Sequence, residues 1–194
     1  DPAKISILPW IGYSAGIVAN LTLLTYFTSI EKKAVAWVQG VGVVTSAVVL
    51  GQIFFAGYMP AAAMAVMPVI VAAGLSVNIL KWMGRLPAKL FGVDPWKAWN
   101  DATVLLGLFA LLMGFSMTFN LMNTYPWAVL GGSAALACAG LGLMALDRRG
   151  KLPAALHGIW QTLGAWLATA LFVFLPIPQI VNNVAAPENI AGIA

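Results

Sequence analysis

Six apolar stretches, each near the length that spans a bilayer, constrain this chain more than any other feature of it. They run at about 5–30, 34–58, 60–82, 102–122, 126–146 and 154–180, with no Asp, Glu, Lys or Arg clearly at mid-depth in any of them. A helix needs about 20 predominantly apolar residues to cross the hydrocarbon core. Inside lipid every backbone N–H and C=O must be satisfied within the segment, so such runs are helical. Charged residues make up 8% of the chain and hydrophobic ones 61%, whereas a water-soluble domain carries about a quarter charged residues. The expected fold is all-α, a polytopic membrane bundle of six helices forming one transmembrane domain over residues 1–194.

The charges that remain sit between the runs. Lys32 and Lys33 follow the first run, Lys81, Arg85, Lys89 and Lys97 follow the third, and Arg148, Arg149 and Lys151 follow the fifth. The turns after the second and fourth runs hold none. With six crossings, nine of the ten basic residues fall on one face and Lys4 alone lies opposite, as the positive-inside rule expects. The connection 86–101, LPAKLFGVDPWKAWND, is the one long loop, and Trp96, Lys97 and Trp99 suggest a short amphipathic piece lying at the interface. Pro60, Pro126 and Pro153 stand at helix starts, where a missing donor costs least.

Function classes narrow on the same grounds. The absence of charge at mid-depth argues against a carboxylate-based pump and against a voltage sensor. The single cysteine, Cys138, lies in an apolar run, so neither a disulfide framework nor a thiol metal site is expected. A net charge of +4 is too small to indicate nucleic acid, since the basic residues serve topology. No nucleophile, base and orienting group come together, so an enzyme is not expected, and neither a metal nor a cofactor is called for.

Polar amides and prolines carry what chemistry there is. Asn20 falls near the centre of its run, where an unpaired amide costs about 4–8 kcal/mol in a fully apolar reference. It must face a neighbouring helix or a cavity, as an interhelical hydrogen bond or as a substrate contact. The sixth run breaks at Pro176 and Pro178, and Gln179, Asn182 and Asn183 follow. Proline removes a backbone donor and clashes with the preceding turn, so this helix end is either a hinge or a packing kink. Neutral sugars want planar amides for hydroxyls and an aromatic face for the ring, with few charges nearby. Asn20, Trp166, Gln179 and Asn182 are the candidates for such contacts.

Two blocks carry a resemblance. LPWIGYSAGIVANLTLLTYFTSIEKKAVAWVQGVGVVTSAVVLGQ (Leu8 to Gln52) and GKLPAALHGIWQTLGAWLATALFVFLPIPQIVNNVAAPENIAGI (Gly150 to Ile193) resemble the chloroplast maltose exporters, the maltose excess protein family. The second block includes Ala186-Pro187-Glu188-Asn189-Ile190-Ala191-Gly192, similar to that family's Asn-Pro-x-Asn-Ile-x-Gly turn. The family is related to the PQ-loop and SWEET-like carriers, whose Pro-Gln hinge is matched here by Pro178-Gln179. The resemblance implies partial PQ-loop repeats and facilitated transport of maltose or a related neutral sugar in the chloroplast inner envelope. It also implies that the chain lacks the first hinge helix and the closing helices. An accessory subunit of a larger membrane complex, such as a photosystem in the thylakoid, is the alternative. Membrane lipids and complex subunits would then be partners, and His157 a ligand to chlorophyll beside any carotenoid.

Overall fold

The computed structural model describes residues 10–118 and 126–174, and within them every regular element is helical. The helices are α1 (Trp10–Ser29), α2 (Lys33–Phe55), α3 (Ala61–Trp82), α4 (Pro95–Thr118), α5 (Pro126–Arg148) and α6 (Ala154–Phe174). Their ends follow local chemistry. Asp94 caps α4, its Oδ1 accepting from the backbone N–H of Trp96 at 2.9 Å and of Lys97 at 3.1 Å, while Pro95 occupies the first helical position. At the other end of α3, Gly84 turns left-handed with φ 64°. That conformation lets the N–H groups of Gly84 and Arg85 bond back to Lys81 and Leu80 carbonyls. Gly150 closes α5 in the same way, with φ 63°.

The helix α1 is the centre of the molecule. It packs against α2, α3, α4 and α6, whereas α5 leans chiefly on α4. One flank of α1 (Ile17, Leu21, Leu24) meets Ala36, Val43, Leu50 and Ile53 of α2 in the largest apolar cluster. Another flank, Val18 and Ala19, meets Ala168 and Leu171 of α6. No residue of α1 from Trp10 to Thr28 is exposed, as befits a helix enclosed by its neighbours. Glycine permits the closest approaches. A Cβ at Gly74 of α3 would stand 2.6 Å from Leu21 and 2.8 Å from the Trp99 ring, and one at Gly42 of α2 would stand 2.5 Å from Asn20 Oδ1.

Two of these helices, α2 and α3, are long and apolar enough to cross a membrane, and α6 carries a shorter apolar segment, Thr162–Val173. Pro68 lies within α3. The connection expected at 86–101 is shorter than the sequence suggests, because the Asp94-Pro95 start carries α4 through its second half. Trp99 accordingly turns into the bundle, where its indole bonds to Thr25, rather than lying at an interface.

Candidate functional site

A polar seam runs down α1. Ser14, Thr22, Thr25 and Ser29 each donate their hydroxyl to the carbonyl four residues back, at 2.7–2.9 Å, a bond that shields a hydroxyl within an apolar bundle. Thr25 is its knot. It is fully buried, and its Oγ1 also accepts from Trp99 Nε1 of α4 at 2.9 Å and from Asn78 Nδ2 of α3 at 3.3 Å. One hydroxyl thus ties three helices. Asn78 Nδ2 also donates to Gly74 O at 2.9 Å, while Asn78 Oδ1, Thr28 Oγ1 and Trp82 Nε1 are buried without a partner among the described residues.

Beside this seam a cleft of about 440 Å³ opens, lined by the last turn of α1, the first turns of α4 and α6, and the end of α5. Tyr26 and Ser29 of α1, Trp96, Lys97, Asn100 and Asp101 of α4, Asp147 of α5 and His157 and Trp160 of α6 are among its lining. These helix ends are those joined by the basic loops, so the cleft belongs to the lysine- and arginine-bearing face. Two carboxylates organise it. Asp147 Oδ2 pairs with Lys97 Nζ at 2.7 Å, and its Oδ1 meets His157 Nδ1 at 2.6 Å. Asp101 Oδ2 takes Nε and Nη2 of Arg148, each at 3.0 Å, and its Oδ1 accepts from Trp160 Nε1 at 3.3 Å.

The electrostatics follow from burial. Asp101 is 2% exposed and Asp147 8%, and an unpaired charge so buried would be costly. Asp147 lies beyond the expected fifth span. Its bond from Lys97 holds its carboxyl below the usual carboxylate range, burial opposes that, and His157 adds to the lowering. With every acid matched by a base, the cleft offers hydrogen-bonding groups and aromatic surface without a surplus of either charge.

The residues singled out from sequence fall in three places. Asn20 is buried in α1, its Nδ2 donating to Gly16 O at 2.8 Å, with its Oδ1 over Gly42. Trp166 of α6 is 71% exposed, and neither lines the cleft. His157 does, bonded to Asp147. Gln179, Asn182, Pro176 and Pro178 lie outside the described residues. The cleft's carboxylates and Trp160 escape a reading by segments, because each sits at a helix end where charge or tryptophan is ordinary. The legible signal was the spacing Lys97/Asp101, which puts opposite charges one helical turn apart on one face, and the acid-base doublet Asp147-Arg148 closing the fifth run.

Residues 1–87 match the family profile described as the maltose excess protein 1 N-terminal domain. Across 98% of its length the chain is 32% identical to the chloroplastic maltose excess protein 1 of Arabidopsis thaliana, of which it covers 44%. It is equally similar, 32% identical over 96% of the chain, to the chloroplastic maltose excess protein 1-like of Oryza sativa subsp. japonica, of which it covers 45%. The chain therefore spans less than half the length of these curated relatives, neither of which is named as an enzyme. No solved structure matches it.

Proposed function

The chain belongs to the maltose excess protein family, and from that premise we propose that it acts in a membrane carrier for maltose or a related neutral sugar. The carrier lies in a chloroplast membrane, the inner envelope, and the chain contributes six crossings with partial PQ-loop repeats. Its basic loops and the cleft share one face. Pro176 and Pro178, beside Gln179, act as its hinge.

The observation that carries this reading is the cleft itself. Its volume, about 440 Å³, falls within the range of about 300–1,000 Å³ usual for small-molecule sites. Tyr26 and Trp96 are half-buried and offer ring surface; Ser29, Asn100 and the paired carboxylates offer hydroxyl partners. Lys97 and Asp147 neutralise one another, as do Arg148 and Asp101, so a charged substrate gains nothing that a neutral one lacks. Pyranose rings, with apolar faces and polar rims, suit such a lining.

Substrate protection tests it. In the full-length protein with Cys138 and any other native cysteine replaced by serine, Ile30→Cys puts a single thiol at the cleft, open to a membrane-impermeant maleimide. Maltose is expected to slow its labelling several-fold, and a sugar phosphate to leave the rate unchanged. Equal rates with and without maltose contradict a sugar site here.

A further inference from the structure

Among its described side chains, helix α5 exposes much of its surface. Its Trp127 is 84% exposed and Leu141 47%, and Cβ atoms added at Gly131, Gly132 or Gly142 would meet nothing within 4 Å. Its described apolar contacts are Gly140 against Leu105 and Leu108 of α4, and Leu143 with Met144 beside the cluster of Val104, Trp160 and Leu167. The other contacts among its described side chains are ionic and gathered at the cleft end. Two neighbours on α5, Asp147 and Arg148, reach two residues one turn apart on α4, Lys97 and Asp101. The pairing is reciprocal, acid to base and base to acid. A screw of α5 that carried Arg148 to the place of Asp147 would set it against Lys97, so the arrangement favours one register as well as proximity. Asp147 and Asp101 also reach His157 and Trp160 of α6, so each carboxylate binds elements on both sides of it.

Building on the carrier reading above, we propose that Asp147, Lys97, Asp101 and Arg148 form a reciprocal ionic clamp that sets α5 against α4 and α6 and holds the cleft wall in sugar-binding geometry. The acids are positioning residues here. They are buried at the floor of the pairs, while Lys97, Arg148 and His157 remain 42–48% exposed at the side chain. Dissolved ions therefore reach the clamp from the cleft, and the Debye length contracts from about 10 Å at 0.1 M salt to about 3 Å at 1 M. Sugar affinity at this face then depends on ionic strength although the sugar is uncharged.

The test uses full-length protein with Cys138 and any other native cysteine replaced by serine, and spin labels at Leu146→Cys on α5 and Leu156→Cys on α6, two exposed positions. The expected result is a single narrow distance in the parent, a broad one with Lys97→Asp, and a narrow one again when Lys97→Asp is combined with Asp147→Lys. Maltose affinity, read from protection of Ile30→Cys in a separate background, should weaken by roughly five- to tenfold in the single reversal, the scale of an ordinary coupling between sites. It should recover in the swap and decline with salt in the parent. Lys97→Gln, a milder change, should broaden the distance partway if the reversal fails to fold. Distances indifferent to Lys97→Gln, or a swap no better than the single reversal, overturn the clamp. Clamp behaviour in the distances with no maltose effect in any protein would instead count against the carrier reading and against the clamp's role in sugar binding.

Discussion

At the residue scale, the side chains that matter most are polar ones whose partners lie on other helices. Asp147 meets Lys97 and His157, and Asp101 meets Arg148. A pair with one partly exposed partner contributes within about 1 kcal/mol, whereas stripping a buried carboxylate of its cation costs about 3–5 kcal/mol. The pH dependence has a definite sign. The lowered Asp147 carboxyl stabilises the fold fully above the ordinary carboxylate pKa of about 3.9, and that contribution disappears as pH falls through its lower folded value. Asp147→Asn is thus expected to cost about 1 kcal/mol at pH 7, and the gap from the parent should close as pH drops below about 4. Thermal melts of both proteins in detergent across that range check it; a gap that widens on acidification would contradict the pairing. The same direction keeps Asp147 ionised near neutral pH, which suits a clamp rather than a proton carrier. Composition and spacing found Asn20 as a buried amide needing a partner but placed that partner on a neighbouring helix or a substrate, whereas the structure supplies Gly16 O of its own helix. They could not find Asp101, since the bond that justifies its burial spans 47 residues of sequence.

At the element scale, helix starts and ends were legible and helix neighbours were not. Proline and glycine punctuate locally, so Pro60, Pro126 and Pro153 marked starts that the structure keeps. Asp94-Pro95 was as local a signal, but the apolar pattern of the fourth run set its expected start at 102, and the two amphipathic turns before it read as loop. That α1 is central follows from packing on four sides, which no single segment reveals. Glycines separate into two kinds on the same basis. Gly74 sits where a methyl would press on Leu21, 1% exposed, and on a Trp99 ring fixed by Thr25. Gly74→Ala should therefore destabilise by about 1–3 kcal/mol through overpacking. Gly142, exposed in mid-helix with nothing near it, should gain about 0.5–1 kcal/mol on becoming alanine, from helix propensity alone. Melting temperatures of the two variants in one detergent decide the matter, and equal shifts of one sign would refute the assigned packing.

At the scale of the whole molecule, the bundle gathers its described ion pairs at one end and leaves long apolar surfaces elsewhere, such as Val38, Val41 and Val48 of α2 and Val66 and Val69 of α3. Lipid or further helices suit those surfaces, and the relatives extend well past the portion this chain matches. The cleft is lined by α1, α4, α5 and α6, so a shift of α4–α6 against α1 would widen or narrow it, with the Thr25–Trp99 bond at the seam. A carrier needs two such arrangements of similar energy. The direct measurement is uptake of labelled maltose by proteoliposomes holding the full-length protein, beside the same protein with Trp96→Ala. Saturable uptake, suppressed by excess unlabelled maltose and reduced several-fold in the variant, is the predicted result. Uptake no greater than that of protein-free vesicles would contradict a carrier, and saturable uptake indifferent to Trp96 would move the sugar's path away from this cleft.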